Sequence, residues 1–238
     1  TVARFIVEPL ERGYGYTLGN SMRRVLLSSL DGAKATAIQI DGVQHEFTTA
    51  EGVIEDITDI VLNVKGLVFS ALNDDVEEAT AHVSAEGPCV VTGADLQVPT
   101  EFTLINPEHV IATVADGGQL DMTVRIGVGR GYVSAERNKR TEDPIGVIHV
   151  DSLFSPVRRC TMNVTDTRVG QRTDYDKLVL EVETDGSIEP IDAVTRAANI
   201  INQYMGAFLS LTSTPEEEEG EVPSIFAPEG QESNAELD

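Results

Sequence analysis

Cysteine is scarce in this chain: Cys89 and Cys160 stand far apart, neither beside a histidine or a second cysteine. That excludes a disulfide framework and a cysteine-based zinc site. Both are expected to be buried free thiols, because an unpaired cysteine packs as a small hydrophobe. Long apolar runs are missing as well. No stretch approaches the ~18 apolar residues that span a bilayer. The opening TVARFIVEPLERGYG also lacks the basic-then-apolar layout of a signal peptide, so a soluble, cytoplasmic protein is expected. Bases are few. The 17 Lys and Arg against 40 Asp and Glu give a net charge of -23, which argues against a polyanion as the main partner, since phosphate recognition rests on clustered Lys and Arg. Histidine is sparse too: His45, His82, His109 and His149 stand singly, with no His-x-x-x-His and no pairing with cysteine. Structural roles are expected for all four.

What is present is enough for a folded body. Hydrophobic residues make up 41% of the 238, sufficient for a real core in one large or two modest domains. Residues 212–238 carry nine acids and no base, leaving the remainder at -14. This segment is rich in Glu, Pro, Ser and Gly and is read as a disordered linker or tail, with SIFAP (Ser224 to Pro228) a lone apolar island in it.

Three amphipathic helices are expected. Pro190 to Leu211 repeats Val194, Ala197, Ala198, Ile201, Met205, Phe208 and Leu209 at steps of three and four, with Pro190 suited to the first turn. A second runs from about Leu18 to Leu30, with Gly32 just past it as a stop. A third covers about Val53 to Val64. Between them lie alternating strand segments such as ARFIVEPL, ATAHVSA, LDMTVRIGV and KLVLEVE, with Asp116-Gly117-Gly118 and Asp185-Gly186 as hairpin turns. The class is therefore α+β with antiparallel sheets, and the strand-rich middle, 32–156, reads as a domain inserted into one built from both ends, 1–31 and 157–211.

Candidate sites are few. Asp174 and Asp176 could share a divalent cation and support metal-assisted hydrolysis. In an acidic chain, however, two acids at spacing two are ordinary, and no metal is expected. Gly127-Val-Gly129-Arg-Gly131 has the wrong spacing for a phosphate loop and reads as a bend or bulge in a sheet. The Arg23-Arg24 pair is more telling: neighbouring helix positions point about 100° apart, so at least one arginine stands at the edge of the apolar stripe, where its planar fork suits an interface. Arg158, Arg159, Arg168 and Arg172 are expected to pair with acids. Strong negative charge also leaves open an acidic protein-binding module or DNA mimic.

Four long stretches then carry a resemblance: FIVEPLERGYGYTLGNSMRRVLLSSL (Phe5 to Leu30), IDGVQHEFTTAEGVIEDITDIVLNVKGL (Ile40 to Leu67), DSLFSPVRR (Asp151 to Arg159) and TRVGQRTDYDKLVLEVETDG (Thr167 to Gly186). In this order they make the sequence similar to the N-terminal part of bacterial RNA polymerase alpha subunits, over nearly all of 4–211. The resemblance implies a non-catalytic homodimer that gathers the beta and beta-prime subunits, with magnesium and catalysis in those large chains. It implies that the first and last helices form the dimer interface, which assigns Leu26, Leu30, Ile201, Met205 and Phe208 there. Arg24 falls where the family contacts beta, and Lys65 and Val150 where it contacts beta-prime. Promoter DNA and activators are implied only through a further C-terminal domain that this sequence does not include. Ser134 departs from the family's usual proline.

Overall fold

The computed structural model describes residues 1–73 and 75–210; the acidic segment and its SIFAP island lie outside the described residues. In chain order the elements are β1 (Val2–Leu10), α1 (Tyr14–Ser28), β2 (Asp31–Ile40), α2 (Ile57–Lys65), β3 (Phe69–Ala71), β4 (Glu78–Glu86), β5 (Cys89–Thr92), β6 (Phe102–Leu104), β7 (Val110–Val114), β8 (Gln119–Arg130), β9 (Tyr132–Val133), α3 (Ala135–Asn138), β10 (Val147–His149), β11 (Ser152–Leu153), β12 (Val157–Val169), β13 (Arg172–Thr184) and α4 (Pro190–Leu209). The pairings among these strands are antiparallel, as expected for the α+β class.

Two hydrophobic cores form. In the first, β1, β13 and β12 make a three-stranded sheet in that order, bringing the two ends of the chain together: Phe5 lies opposite Leu180, and Leu180 opposite Met162. Alternate residues of these strands turn to one face, where α1 and α4 cover them, burying Leu26, Leu30, Cys160, Val182, Ala193 and Ala197. α1 starts earlier than its apolar spacing implies, at Tyr14, because a distant group caps it. The buried carboxylate of Asp176 accepts from the backbone N–H groups of Gly13 and Gly15 at 2.9 and 3.1 Å, placing negative charge at the positive end of the helix.

The second core lies under a six-stranded sheet with the path β4-β8-β2-β3-β6, and β10 also pairs with β2. α2 supplies Ile57, Ile60 and Val64 to it, against Phe69, Ile111, Met122 and Ile126. α2 begins at Ile57 and not at Val53. The Glu55 carboxylate accepts from the Thr113 backbone N–H and hydroxyl at 2.6 and 2.8 Å, and the Ile54 N–H donates to the Thr113 carbonyl at 3.0 Å. These bonds hold the preceding residues extended against β7. Asp56 then caps the helix, accepting from the Asp59 N–H at 2.8 Å.

Several local expectations change. Asp116-Gly117-Gly118 joins β7 to β8, which lie in different sheets, and Asp185-Gly186 leads from β13 to α4, so neither turn closes a hairpin. The hairpin between β12 and β13 turns instead at Gly170, which takes a left-handed φ of 62°. Gly127 and Gly129 make no bulge in β8; the register shift lies across from it, between Ala35 and Ala37 of β2. Gly32 is not a helix stop but a strand residue directly opposite Gly129. Both cysteines are free, but Cys89 is only half-buried because β5 belongs to a two-stranded pair rather than the main sheet.

Candidate functional site

Among the places where apolar side chains stay exposed, the helical layer holds several on two neighbouring helices. α4 turns Ala193 and Ala197 inward, and the same face continues into its second half, where Ile201, Tyr204, Met205 and Phe208 follow the i, i+3, i+4, i+7 rule beyond the buried first half. Ile201 is half-buried, whereas Met205 is 56% and Phe208 66% exposed. On α1, Tyr14, Tyr16 and Leu18 are likewise exposed.

The two adjacent arginines of α1 separate in role. Arg23 folds back, its Nε–H donating to the Cys160 carbonyl at 3.1 Å, which fixes the helix to β12. Arg24 points away, and among the described residues no carboxylate or carbonyl engages its guanidinium. A third position lies at the far end of α2, where Lys65 suits the negative helix terminus and its ammonium lies 2.7 Å from Asp151.

The carboxylates that suggested a cation are otherwise engaged: Asp176 caps α1, and Asp174 pairs with Arg172 at 3.1 Å. Among the described residues no group of three or more His, Cys, Asp or Glu side chains is placed to hold a metal, and no helix is long and apolar enough to cross a membrane.

Comparison with known proteins identifies the family. The family model of the RNA polymerase Rpb3/RpoA insert domain matches residues 38–155, the strand-rich middle. The "DNA-directed RNA polymerase subunit alpha" of Moorella thermoacetica is 54% identical over 215 residues, 90% of this chain and 68% of that protein. The chain belongs to the bacterial RNA polymerase alpha-subunit family. Proteins of the same name from Carboxydothermus hydrogenoformans (55% over 208 residues, 87% of this chain, 66% of the relative) and Salinibacter ruber (48% over 214 residues, 90% and 65%) agree. The chain thus spans about two thirds of the length of these alpha subunits.

Against the residues assigned by family resemblance, the structure makes distinctions. Leu26 and Leu30, placed at a dimer interface by sequence, are 0% and 2% exposed and belong to the chain's own core, so they are not free for a partner. Val150 is also interior, 1% exposed; its N–H donates to the Thr36 carbonyl at 2.9 Å, and its carbonyl accepts from Asn138 Nδ2 at 2.6 Å. Any contact at that position of an alpha subunit would therefore be made by the neighbours that Val150 fixes in place, Asp151 among them. Of the four clustered arginines, Arg159 pairs with Glu183 at 3.1 Å and Arg172 with Asp174. Arg168 instead donates to the Gly170 carbonyl at 2.6 Å. Arg158 has no carboxylate partner among the described residues.

Sequence reading also missed a polar network that pins the segment between α3 and β10 to the sheet. The Arg125 guanidinium grips Asp143 with bonds of 2.5 and 3.2 Å, while His149 Nε2–H donates to the same carboxylate at 2.8 Å and the Arg140 backbone N–H at 3.1 Å. No motif signals this set, since its members come from three separate elements. The Arg125 bonds hold the Asp143 carboxyl well below the usual carboxylate range, outweighing its burial, and those from His149 and Arg140 add to the effect. A carboxyl whose folded pKa lies below its unfolded value stabilises the fold above about pH 4 and loses that contribution as pH falls further. Asp143→Asn is expected to cost about 2 kcal/mol near pH 6. The gap in urea midpoint from the native chain should narrow below about pH 4; a gap that stays constant into strong acid would disprove the linkage.

Proposed function

We propose that this chain is the non-catalytic assembly subunit of a DNA-dependent RNA polymerase: it homodimerises through α1 and α4 and presents separate surfaces to beta and beta-prime. The single observation that carries the reading is the uncovered stripe of Ile201, Tyr204, Met205 and Phe208 on α4. An apolar face that is buried along the first half of a helix and uncovered along the second is a surface awaiting a partner. Twofold symmetry brings the same stripe from both copies together. A stable interface of this type buries on the order of 2,000–5,000 Å². Nucleotidyl transfer and the magnesium it uses belong, in this reading, to the large subunits. Arg24, free on the outer side of α1, serves beta; Lys65, with the Asp151 segment that Val150 supports, serves beta-prime.

The test is reconstitution of the chain with beta and beta-prime. The native chain is expected to give a stoichiometric complex. Arg24→Ala should remain a dimer by light scattering yet lose beta, with affinity falling about 30-fold or more, the scale of a buried charged anchor. Normal recovery of beta with the variant would reject the role assigned to Arg24.

A further inference from the structure

Residues 134–146, which include α3 and end where β10 begins, lie over the face of the six-stranded sheet that carries Arg125, Gly127 and Gly129, the side opposite its core. They cover that face without packing into it. A cavity of about 560 Å³, open to solvent, is lined by Arg137, Asn138 and Arg140 on one side and by Thr36, Gly129 and Phe154 on the other. No apolar side chain of the segment is buried: Ala135 is half-buried, Pro144 is exposed, and Ile145 is 90% exposed. None of the three belongs to either core.

The backbone of the segment is equally detached. The N–H groups of Asn138, Lys139 and Asp143 donate to the carbonyls of Ser134, Glu136 and Arg140 at 3.2, 3.4 and 3.2 Å, and that of Val147 returns to Pro144 at 3.4 Å. Among the described residues, no backbone bond runs from 134–146 to the sheet. Three side chains tie it down instead. Asp143 is held by Arg125 of β8 and His149 of β10, and Arg140 pairs with Glu78 of β4. Asn138 Nδ2 donates to the Val150 carbonyl at 2.6 Å and to the Ser152 hydroxyl at 3.2 Å. The Ser152 hydroxyl in turn donates to the Ala35 carbonyl at 2.7 Å, so this last tie reaches β2.

A stretch that buries no apolar side chain and is fixed by a few polar ones opens at a lower free energy than the cores beside it. Each polar bond gives only a modest net gain over its bond to water, whereas apolar burial holds the cores. We propose that residues 134–146 are a strap that opens as a unit while both cores stay folded, and that its closed form, through Asn138, fixes the Val150–Ser152 stretch that carries Asp151. Asp143 is the latch. Through it the exposed residues Thr141 to Ile145 are coupled to the Asp151 that pairs with Lys65. The strap is a property of this chain alone and stands apart from the assembly reading.

Trypsin supplies the probe, because Arg137, Lys139 and Arg140 all lie in the strap. With the full native chain, cleavage after these residues is expected to be slow, and its rate should rise in sub-denaturing urea with a slope well below that of global unfolding. Asp143→Asn should speed this cleavage about 30-fold and keep the shallow slope. Hydrogen exchange of the native chain gives a second reading that needs no variant. The Val150 amide, bonded to the Thr36 carbonyl, should exchange with the same shallow slope, and the amides of β8 with the steep global one. Asn138→Ala should speed exchange at Val150 about tenfold with the Asp143 latch in place. Strap cleavage that follows global unfolding, or that Asp143→Asn leaves unchanged, overturns the strap. So does cleavage of the native chain as fast as that of an unfolded peptide, since nothing is then latched. A Val150 amide that exchanges only through global unfolding overturns the coupling through Asn138.

Discussion

Gly32→Ala is expected to destabilise the fold by about 3 kcal/mol or more, seen as a lower urea midpoint at unchanged slope. A methyl group built on Gly32 falls 1.9 Å from the Phe154 carbonyl oxygen and 3.0 Å from its carbonyl carbon. Those are backbone atoms, and they are held: the Phe154 N–H donates to the Gly131 carbonyl at 2.8 Å, and Phe154 itself is 4% exposed. The residue paired with Gly32 across the strands, Gly129, faces the same obstacle from the other direction, since its methyl would lie 2.8 Å from the Phe154 ring. Two opposed glycines thus form the seat of one phenylalanine where the chain passes between the two cores. The ring can tilt more readily than a carbonyl can move, so Gly129→Ala should cost less than Gly32→Ala. An unchanged midpoint for Gly32→Ala would show that the strand can shift away at little cost.

Phe208→Asp is expected to leave the fold intact and abolish dimerisation, raising the dissociation constant at least about 100-fold. Phe208 is 66% exposed within one chain, so a carboxylate there remains solvated in the monomer. In a symmetric dimer it would be desolvated against the partner's apolar stripe, where an unpaired charge costs several kcal/mol. Light scattering should report half the native mass, and far-ultraviolet circular dichroism should report native helix content. A dimer of native affinity would remove α4 from the interface. Leu26→Asp makes the informative contrast: at 0% exposure it places a charge inside the first core and should unfold the chain instead of splitting a dimer.

Much of the architecture was legible before any coordinates. The three-and-four spacing in 194–209 announced α4, and the apolar positions of α1 and α2 announced those helices, because burial of one face imposes that period on sequence. Element ends were less legible. α1 gains its first turn from Asp176 and α2 loses one to the Glu55–Thr113 bonds. In both cases the deciding partner comes from a strand far along the chain. Gly32 looked like a helix stop for the same reason: the carbonyl that forbids a side chain there belongs to Phe154.

By itself, the sequence determined the class of fold and, through stretches that resemble a known family, the family; spacing marked the apolar residues of α4, and the resemblance alone pointed to Arg24 and Lys65 as contacts. Which apolar side chains stay inside was decided only by tertiary structure. An amphipathic pattern states that a helix has an apolar face, not what covers it. Packing α1 and α4 on one sheet encloses Leu26 and Leu30 and leaves Met205 and Phe208 outside, and the fold brings Arg125, Asp143 and His149 together although no local pattern joins them.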